Sequence, residues 1–320
     1  MVSGSRAIRV VVEAPSSVAN LGPGFDILAT ALPCFSDVVE VTVRRGGDGV
    51  RVESEGFGIP SGSSNAAHAV AERFVEEFRI RHAEIVLRIR KGIPPSLGLG
   101  SSGASSGAAA YALALAFGTG LSVKELLHVA SAGEEHVAGT PHYDNISASL
   151  LGGIVVVDPS EPIAYRLDPP PSLWFTVIYP RNHVEESKTL KARQKLPQEL
   201  KMDDVVHQLS AVAMLIHGIH SNDYGLIGRA VSLDNIAEPY RAEAIPHYEE
   251  LKVRAYELGA LGFNVSGAGP SVFSVTDTRL KAVRIGEALA SLLNSRGIDS
   301  GFCVAAPSNH GTRALEMGRV

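Results

Sequence analysis

Gly92 to Ala108 reads GIPPSLGLGSSGASSGA, a run of glycine, serine and proline. It lies between a strand-like segment, Glu84–Arg90 (EIVLRIR), and small residues with leucines at helical spacing out to Phe117. Gly98, Gly100 and Gly103 set out G-x-G-x-x-G, the spacing of a dinucleotide-binding turn. That reading needs a tight strand-to-helix turn, then a second parallel strand with an acidic residue about twenty residues past the glycines. The sequence instead lengthens the connection with Gly92-Ile-Pro-Pro-Ser96, continues into two consecutive helices, and offers no acidic residue before Glu125. Nor does a lysine follow the glycines as a P-loop requires. What remains is a Gly/Ser loop opening a helix, where backbone N–H groups and the positive end of the helix dipole converge. A phosphate fits such a place, and a capped helix start without a ligand gives the same pattern.

The length of 320 residues points to two domains, and 45% hydrophobic content is enough for a large core. A net charge of −5 without any long Lys/Arg block argues against nucleic acid as a partner. Cys34 and Cys303 stand far apart with no Cys/His cluster around them. That argues against a disulfide framework or a structural zinc and points to a reducing compartment, the cytoplasm. The first residues lack an apolar signal core, and the most apolar later run, Ala108–Phe117, is too short to span a bilayer, so no membrane partner is expected.

Ile8–Glu13 and Asp37–Val43 read as strands like Glu84–Arg90, and Ser122-Val-Lys-Glu125 is a capping-box start for a helix to about Glu135. Leu151–Asp158 is strand-like, and the proline-rich stretches after it place a boundary near residue 160, giving domains 1–160 and 161–320. The second half reads as strand 174–179, helices near 203–220, 224–232 and 248–258, strand 272–276, helix 280–295 and strand 301–305. That is an α+β order, not a regular βαβ series.

Two more loops share the composition of the first: Ala14-Pro-Ser-Ser-Val-Ala-Asn-Leu-Gly-Pro-Gly-Phe-Asp26 and Val265-Ser-Gly-Ala-Gly-Pro-Ser271. In this order and spacing the three resemble the motifs of the GHMP kinase family over nearly the whole chain. The resemblance implies a two-domain α+β fold, with an N-terminal domain like domain 2 of ribosomal protein S5 and a ferredoxin-like C-terminal domain. It also implies ATP and Mg²⁺. Asn20 to Asp26, Gly133-Glu134, His142-Tyr-Asp-Asn145, Thr189 to Arg193 and Asp234 to Arg241 are similar to segments of the branch that phosphorylates homoserine. That branch transfers the γ-phosphoryl group of ATP to the side-chain hydroxyl of L-homoserine, giving O-phospho-L-homoserine for threonine biosynthesis. A homodimer is the expected assembly.

The resemblance also assigns roles. Pro95, Ser96, Leu97, Gly98, Leu99, Gly100, Ser101 and Ser102 would cradle the phosphates, with Thr189, Gly267 and Gly269 also at the nucleotide. Asn65 matches an adenine contact; on its own it reads as a helix N-cap. Ser102 and Glu134 would hold Mg²⁺, a hard ion that prefers oxygen; Glu134 beside Glu135 alone reads as a solvated pair. Arg193 and Arg241 would clamp the acceptor's carboxylate, since planar guanidinium offers two parallel donors; either alone reads as a surface residue. Asn20 and Asp26 would take the ammonium group, with His142 and Asn145 near the hydroxyl. Asp144 and Asn145 are the catalytic candidates, although a loose phosphoryl-transfer transition state asks little of a base.

Gly103 replaces a usual Ala, at a helix-propensity cost of about 1 kcal/mol. Tyr143 and Ala138-Gly139 also depart from the pattern, which touches the acceptor pocket rather than the phosphate loop. Two other readings stay open: a related kinase acting on mevalonate or shikimate, and a non-catalytic ATP-binding sensor.

Overall fold

β-Branched residues in alternation build a first sheet around two long strands, β1 (Ile8–Ala19) and β2 (Leu28–Arg45), paired antiparallel along their length. The computed structural model describes residues 7–181 and 188–320; the side chains of Lys188, Thr189 and Lys191 lie outside the described set. The β1–β2 register shifts between Pro15 and Ser16, so the two ends of β2 serve different neighbours. One end pairs with β4 (Ala83–Arg90), which lies parallel to β3 (Gly49–Glu55) with α1 (Ala66–Glu77) crossing between them. The other end pairs with β5 (Ile154–Val157), and β5 with β6 (Ala164–Leu167).

Three helices follow one another after β4: α2 (Ser101–Phe117), α3 (Val123–Ala138) and α4 (Tyr143–Leu151). α2 is buried nearly all round, because its Ala, Gly and Ser side chains let the sheet and the neighbouring helices approach from several sides. The expected capping box of α3 forms: Ser122 Oγ accepts from Glu125 N, and the Glu125 carboxylate accepts from Ser122 N at 2.8 Å.

The second half is ferredoxin-like, as expected. β7 (Trp174–Pro180), α5 (Lys188–Gln194), α6 (Met202–Ser221), α7 (Tyr224–Val231), α8 (Glu238–Ala242), α9 (Tyr248–Glu257), β8 (Gly262–Val265), β9 (Val272–Thr276), α10 (Arg279–Ser295) and β10 (Ser300–Ala305) follow in order. The antiparallel sheet runs β10-β7-β9-β8. Alternation along β7 divides its side chains. Phe175 and Val177 enter the large core shared with the first domain, whereas Ile178 packs in the smaller core with Ile285 and Leu289 of α10.

The expected break near residue 160 falls inside the β5–β6 hairpin, and β11 (Arg313–Arg319) returns to pair antiparallel with β1. The first sheet therefore takes two strands from beyond that point. β11 escapes a pattern reading because all its residues are exposed, so no apolar alternation marks it. Among the described residues no helix is long and apolar enough to cross a membrane.

The cysteines correct the sequence reading. Cys34 of β2 and Cys303 of β10, 269 residues apart in the chain, form a disulfide that joins the two domains. Phe35 and Tyr179 stack edge to face beside it, ring centres 5.4 Å apart. Sequence distance said nothing of spatial distance, and the inference of a reducing compartment loses its basis. Replacing both cysteines by serine should lower the unfolding free energy by about 2–4 kcal/mol, since the cross-link closes a very long loop in the unfolded chain. Denaturant titrations of both proteins check this, and a loss below about 0.5 kcal/mol would show that the shared core alone holds the domains together.

Candidate active site

The three glycine loops, far apart in sequence, meet in space. Gly98 has φ +74°, and a Cβ there would stand 2.1 Å from the Ser266 carbonyl oxygen, so only glycine allows the first loop described to lie against the last. Ser266 Oγ donates back to Gly98 O at 2.7 Å, and Ser17 N of the N-terminal loop donates to Leu99 O at 3.1 Å. Around this junction opens a cleft of about 530 Å³ lined by residues of all three loops and of both domains.

The N-terminus of α2 opens at this cleft, with Gly100 as its N-cap. Its first-turn N–H groups have no partners within the helix, which makes the loop a cradle for anionic oxygens. Ser101 Oγ donates to Ile93 O at 3.0 Å, which leaves Ser102 as the hydroxyl beside Glu134. Glu134 comes from α3 and is buried, with its Oε1 unpartnered. Burial pushes its carboxyl pKa up, against the Ser102 hydroxyl and the His142 ring. A buried carboxylate oxygen short of a partner is what a cation would satisfy. Among the described residues no group of three or more His, Cys, Asp or Glu could hold a metal alone. Mg²⁺ on a nucleotide needs only one or two protein oxygens, so Glu134 and Ser102 fit it.

A buried ion pair under the Gly92–Ser102 loop escaped the sequence reading. Lys91 Nζ bonds Asp37 Oδ2, Ser101 O (2.9 Å) and Ser105 Oγ (2.8 Å). Asp37 Oδ1 also accepts from Gly92 N and Ile93 N, both at 3.0 Å. Burial pulls the Lys91 pKa down, and Asp37 opposes this. The pair fixes the start of the loop and places a cation on the cleft wall. Asp37, in the middle of β2, and Lys91, just past the end of β4, lie 54 residues apart, so no local pattern announces them.

The far end of the cleft carries opposed charges. Asn20, Leu21 and Asp26 all hold positive φ (70°, 48° and 60°), conformations that non-glycine residues adopt only where surroundings enforce them. Asn20 Oδ1 accepts from Asp26 N at 3.2 Å and closes this turn. Gln208 of α6 ties the turn to the later segment, donating to Pro23 O (2.7 Å) and Asp234 Oδ1 (3.1 Å). Asp234 in turn accepts from Ala237 N and Glu238 N at the start of α8, which carries Arg241. Arg193 of α5 donates through Nη1 to Asp26 Oδ2 (2.7 Å) and His142 Nε2 (2.8 Å). Arg241 Nη1 donates to Gly267 O at 2.7 Å, while its buried Nε has no partner. Burial lowers the Arg241 pKa, opposed by the charges of Asp26 and Asp234.

Asp144 opens α4 between these halves. It is buried, and that burial with the nearby Asp26 charge pushes its pKa up to about 7. Asn145 N donates to Asp144 Oδ1 at 2.7 Å, and Ser17 Oγ donates to Asn145 Oδ1 at 2.8 Å, which fixes the amide.

The cleft brings together Asn20, Asp26, Asn65, Pro95, Ser96, Gly98, Leu99, Gly100, Ser101, Ser102, Glu134, His142, Asp144, Asn145, Arg193, Arg241, Gly267 and Gly269. The Leu97 side chain lies in the hydrophobic core, and its backbone, the part expected at the phosphates, remains in the loop. Thr189's side chain lies outside the described residues. Asn65 acts as the N-cap of α1, accepting from Ala67 N at 2.9 Å, and also donates to Pro60 O at 2.8 Å. Both polar ends of its amide are thus already engaged at the cleft rim.

Family models place this architecture. The GHMP kinases N terminal domain matches residues 65–153 and the GHMP kinases C terminal domain matches 215–295. The chain belongs to the GHMP kinase family. Within it, the chain is 43% identical over 300 residues to a protein named homoserine kinase from Methanopyrus kandleri, covering 93% of this chain and 95% of that one. A homoserine kinase from Aeropyrum pernix is 40% identical over 286 residues, covering 88% and 91%. The crystal structure of a homoserine kinase from Cytophaga hutchinsonii superposes with a TM-score of 0.88 at 33% identity, covering 96% and 97% of the two chains.

Gly103 gains a reason. A Cβ there would lie 2.9 Å from Asn145 Cβ and 3.1 Å from Ile146 N, so glycine lets α4 approach α2. Helix propensity alone makes Gly103→Ala stabilising by about 1 kcal/mol. The contact predicts the reverse: overpacking lowers stability by about 1–3 kcal/mol, read as a lower Tm. A raised Tm would mean that α4 yields freely.

Proposed function

We propose that this chain transfers the γ-phosphoryl group of ATP to the side-chain hydroxyl of L-homoserine, forming O-phospho-L-homoserine for threonine biosynthesis. The observation that carries the reading is the buried Arg241 with its unpartnered Nε, set across one cleft from the α2 N-terminus. A carboxylate is the natural partner for that group, and the Asp26 carboxylate keeps acceptor capacity for an ammonium group beside Arg193. The homoserine kinases among its relatives support the same acceptor.

The chemistry then follows from the residues in place. The N–H groups of the Leu97–Ser102 backbone hold the phosphates, and the Lys91 cation, its own donors taken by Asp37, Ser101 and Ser105, adds its charge from behind the loop. Glu134 and Ser102 would hold Mg²⁺, which when bound offsets phosphate charge. Arg193 and Arg241 fix the acceptor by its carboxylate, so its hydroxyl can lie in line with the γ-phosphorus. The hydroxyl oxygen forms the new bond to phosphorus as the bond to the β,γ-bridging oxygen breaks, and ADP leaves. The hydroxyl proton passes to Asp144, whose raised pKa suits it to take a proton near neutrality. Asn145, fixed by Ser17, orients that carboxylate.

ATP as co-substrate supports a place in the cytoplasm. Exposed Met202, Val206 and Leu209 along one face of α6 support self-association into a homodimer, which sedimentation of the purified protein measures.

Release of ADP with Mg-ATP and L-homoserine, mevalonate or shikimate tests the acceptor. L-homoserine should give the highest kcat/KM, because an acceptor without an ammonium group leaves Asp26 without that partner. A higher value for either other acid would overturn the assignment. Glu134→Gln should lower kcat by orders of magnitude with folding intact; near-normal turnover removes its metal role.

For the base, the sign is set by the raised pKa. Asp144 is ionised above about pH 7 and protonated below it, so kcat/KM should fall about tenfold per unit below pH 7 and level off above. Asp144→Asn should abolish that limb; a flat wild-type profile would remove the base role. Arg241→Ala should weaken homoserine use by roughly 2–4 kcal/mol in transition-state stabilisation, more than Arg193→Ala, since Arg193 is half exposed. Kinetics within twofold of wild type for both would place the carboxylate elsewhere.

A further inference from the structure

Phe25 stands between Gly24 and Asp26 in the N-terminal loop, half-buried and outside the cleft lining. The guanidinium carbons of two arginines nevertheless lie over its ring, Arg241 at 5.1 Å and Arg193 at 5.7 Å from the centroid. These arginines come from different helices, α8 and α5. Bringing two cations to one place is unfavourable by itself, and each needs compensation. Asp26 supplies part of it by bonding Arg193 and by its charge near Arg241. The aromatic face supplies the rest: its negative quadrupole attracts both cations, and its carbon surface shields them from water. The ring is held in turn by the Asn20–Asp26 bond, which fixes the left-handed conformation at Asp26 next to it.

We propose that Phe25 is a positioning residue that holds Arg193 and Arg241 together as one carboxylate-binding pair, and so sets the enzyme's affinity for its acidic acceptor. The inference rests on the reading that homoserine's carboxylate binds these arginines. Phe25 touches neither substrate; it acts through the two guanidinium groups. An aliphatic side chain of similar bulk would fill the same space but offer no quadrupole.

Phe25→Leu should raise the homoserine KM about tenfold, with kcat within about twofold and nucleotide Kd unchanged, whereas Phe25→Tyr should stay near wild type. Because the leucine variant can also loosen the loop, 4-fluoro- and 3,5-difluorophenylalanine at position 25 provide a second series. They keep the ring and its packing while stepwise weakening its negative face. The homoserine KM should rise with each added fluorine at unchanged Tm. Arg241→Ala, measured alongside, separates the two ideas. If it raises the homoserine KM while the fluorinated proteins match wild type, the ring only packs and the Phe25 proposal is overturned. If Arg241→Ala also leaves that KM unchanged, the carboxylate reading itself fails and the Phe25 proposal falls with it.

Discussion

The contact between Gly98 and Ser266 is the constraint on which the cleft depends. Two backbones lie too close there for any Cβ, and the Ser266 hydroxyl locks the approach from the other side. It joins the loop that opens α2 to the loop between β8 and β9, and through Ser17 and Leu99 it extends to the end of β1. The end of the cleft at the α2 N-terminus and the end at Asp26 and Arg241 are therefore two faces of one knot of main chain. Secondary structure alone would leave the loops at the ends of separate elements; close backbone packing makes them one site.

Charge organises the rest. The cleft wall holds a buried cation at Lys91, a buried carboxylate at Glu134 and another at Asp144, each displaced from its ordinary proton affinity by loss of water. Residues of this kind are expensive to bury, and their concentration in one cleft marks where the protein meets charged ligands. The partly buried network of Arg73, Ser131 and Glu135 shows the contrast, since those groups bond one another and lie away from the cleft.

Much of this was legible in the sequence where the signal is local. The helix starting after Gly100, the capping box at Ser122 and the alternation in Glu84–Arg90 depend on neighbouring residues, and each element formed where expected. The two-domain α+β order was also readable. Short or exposed strands, such as β3 and β11, were not. In the site, residues inside glycine motifs could be found, because a loop's chemistry is written in adjacent letters. Lys91 with Asp37 could not, and neither could the pairing of Cys34 with Cys303, because each partner lies far along the chain and only the fold brings them together. Gly103 is intermediate: its departure was visible as a letter, but its reason lay in the distance to α4.

The return of β11 to β1 has a consequence for biosynthesis. On a ribosome the N-terminal half emerges first, yet β1 keeps one open flank until residues 313–319 have been made. Until then that flank presents unpaired main-chain donors and acceptors that another nascent chain could capture. Completion of the first sheet thus waits for residues 313–319, long after the loops that open the cleft in this half have been made.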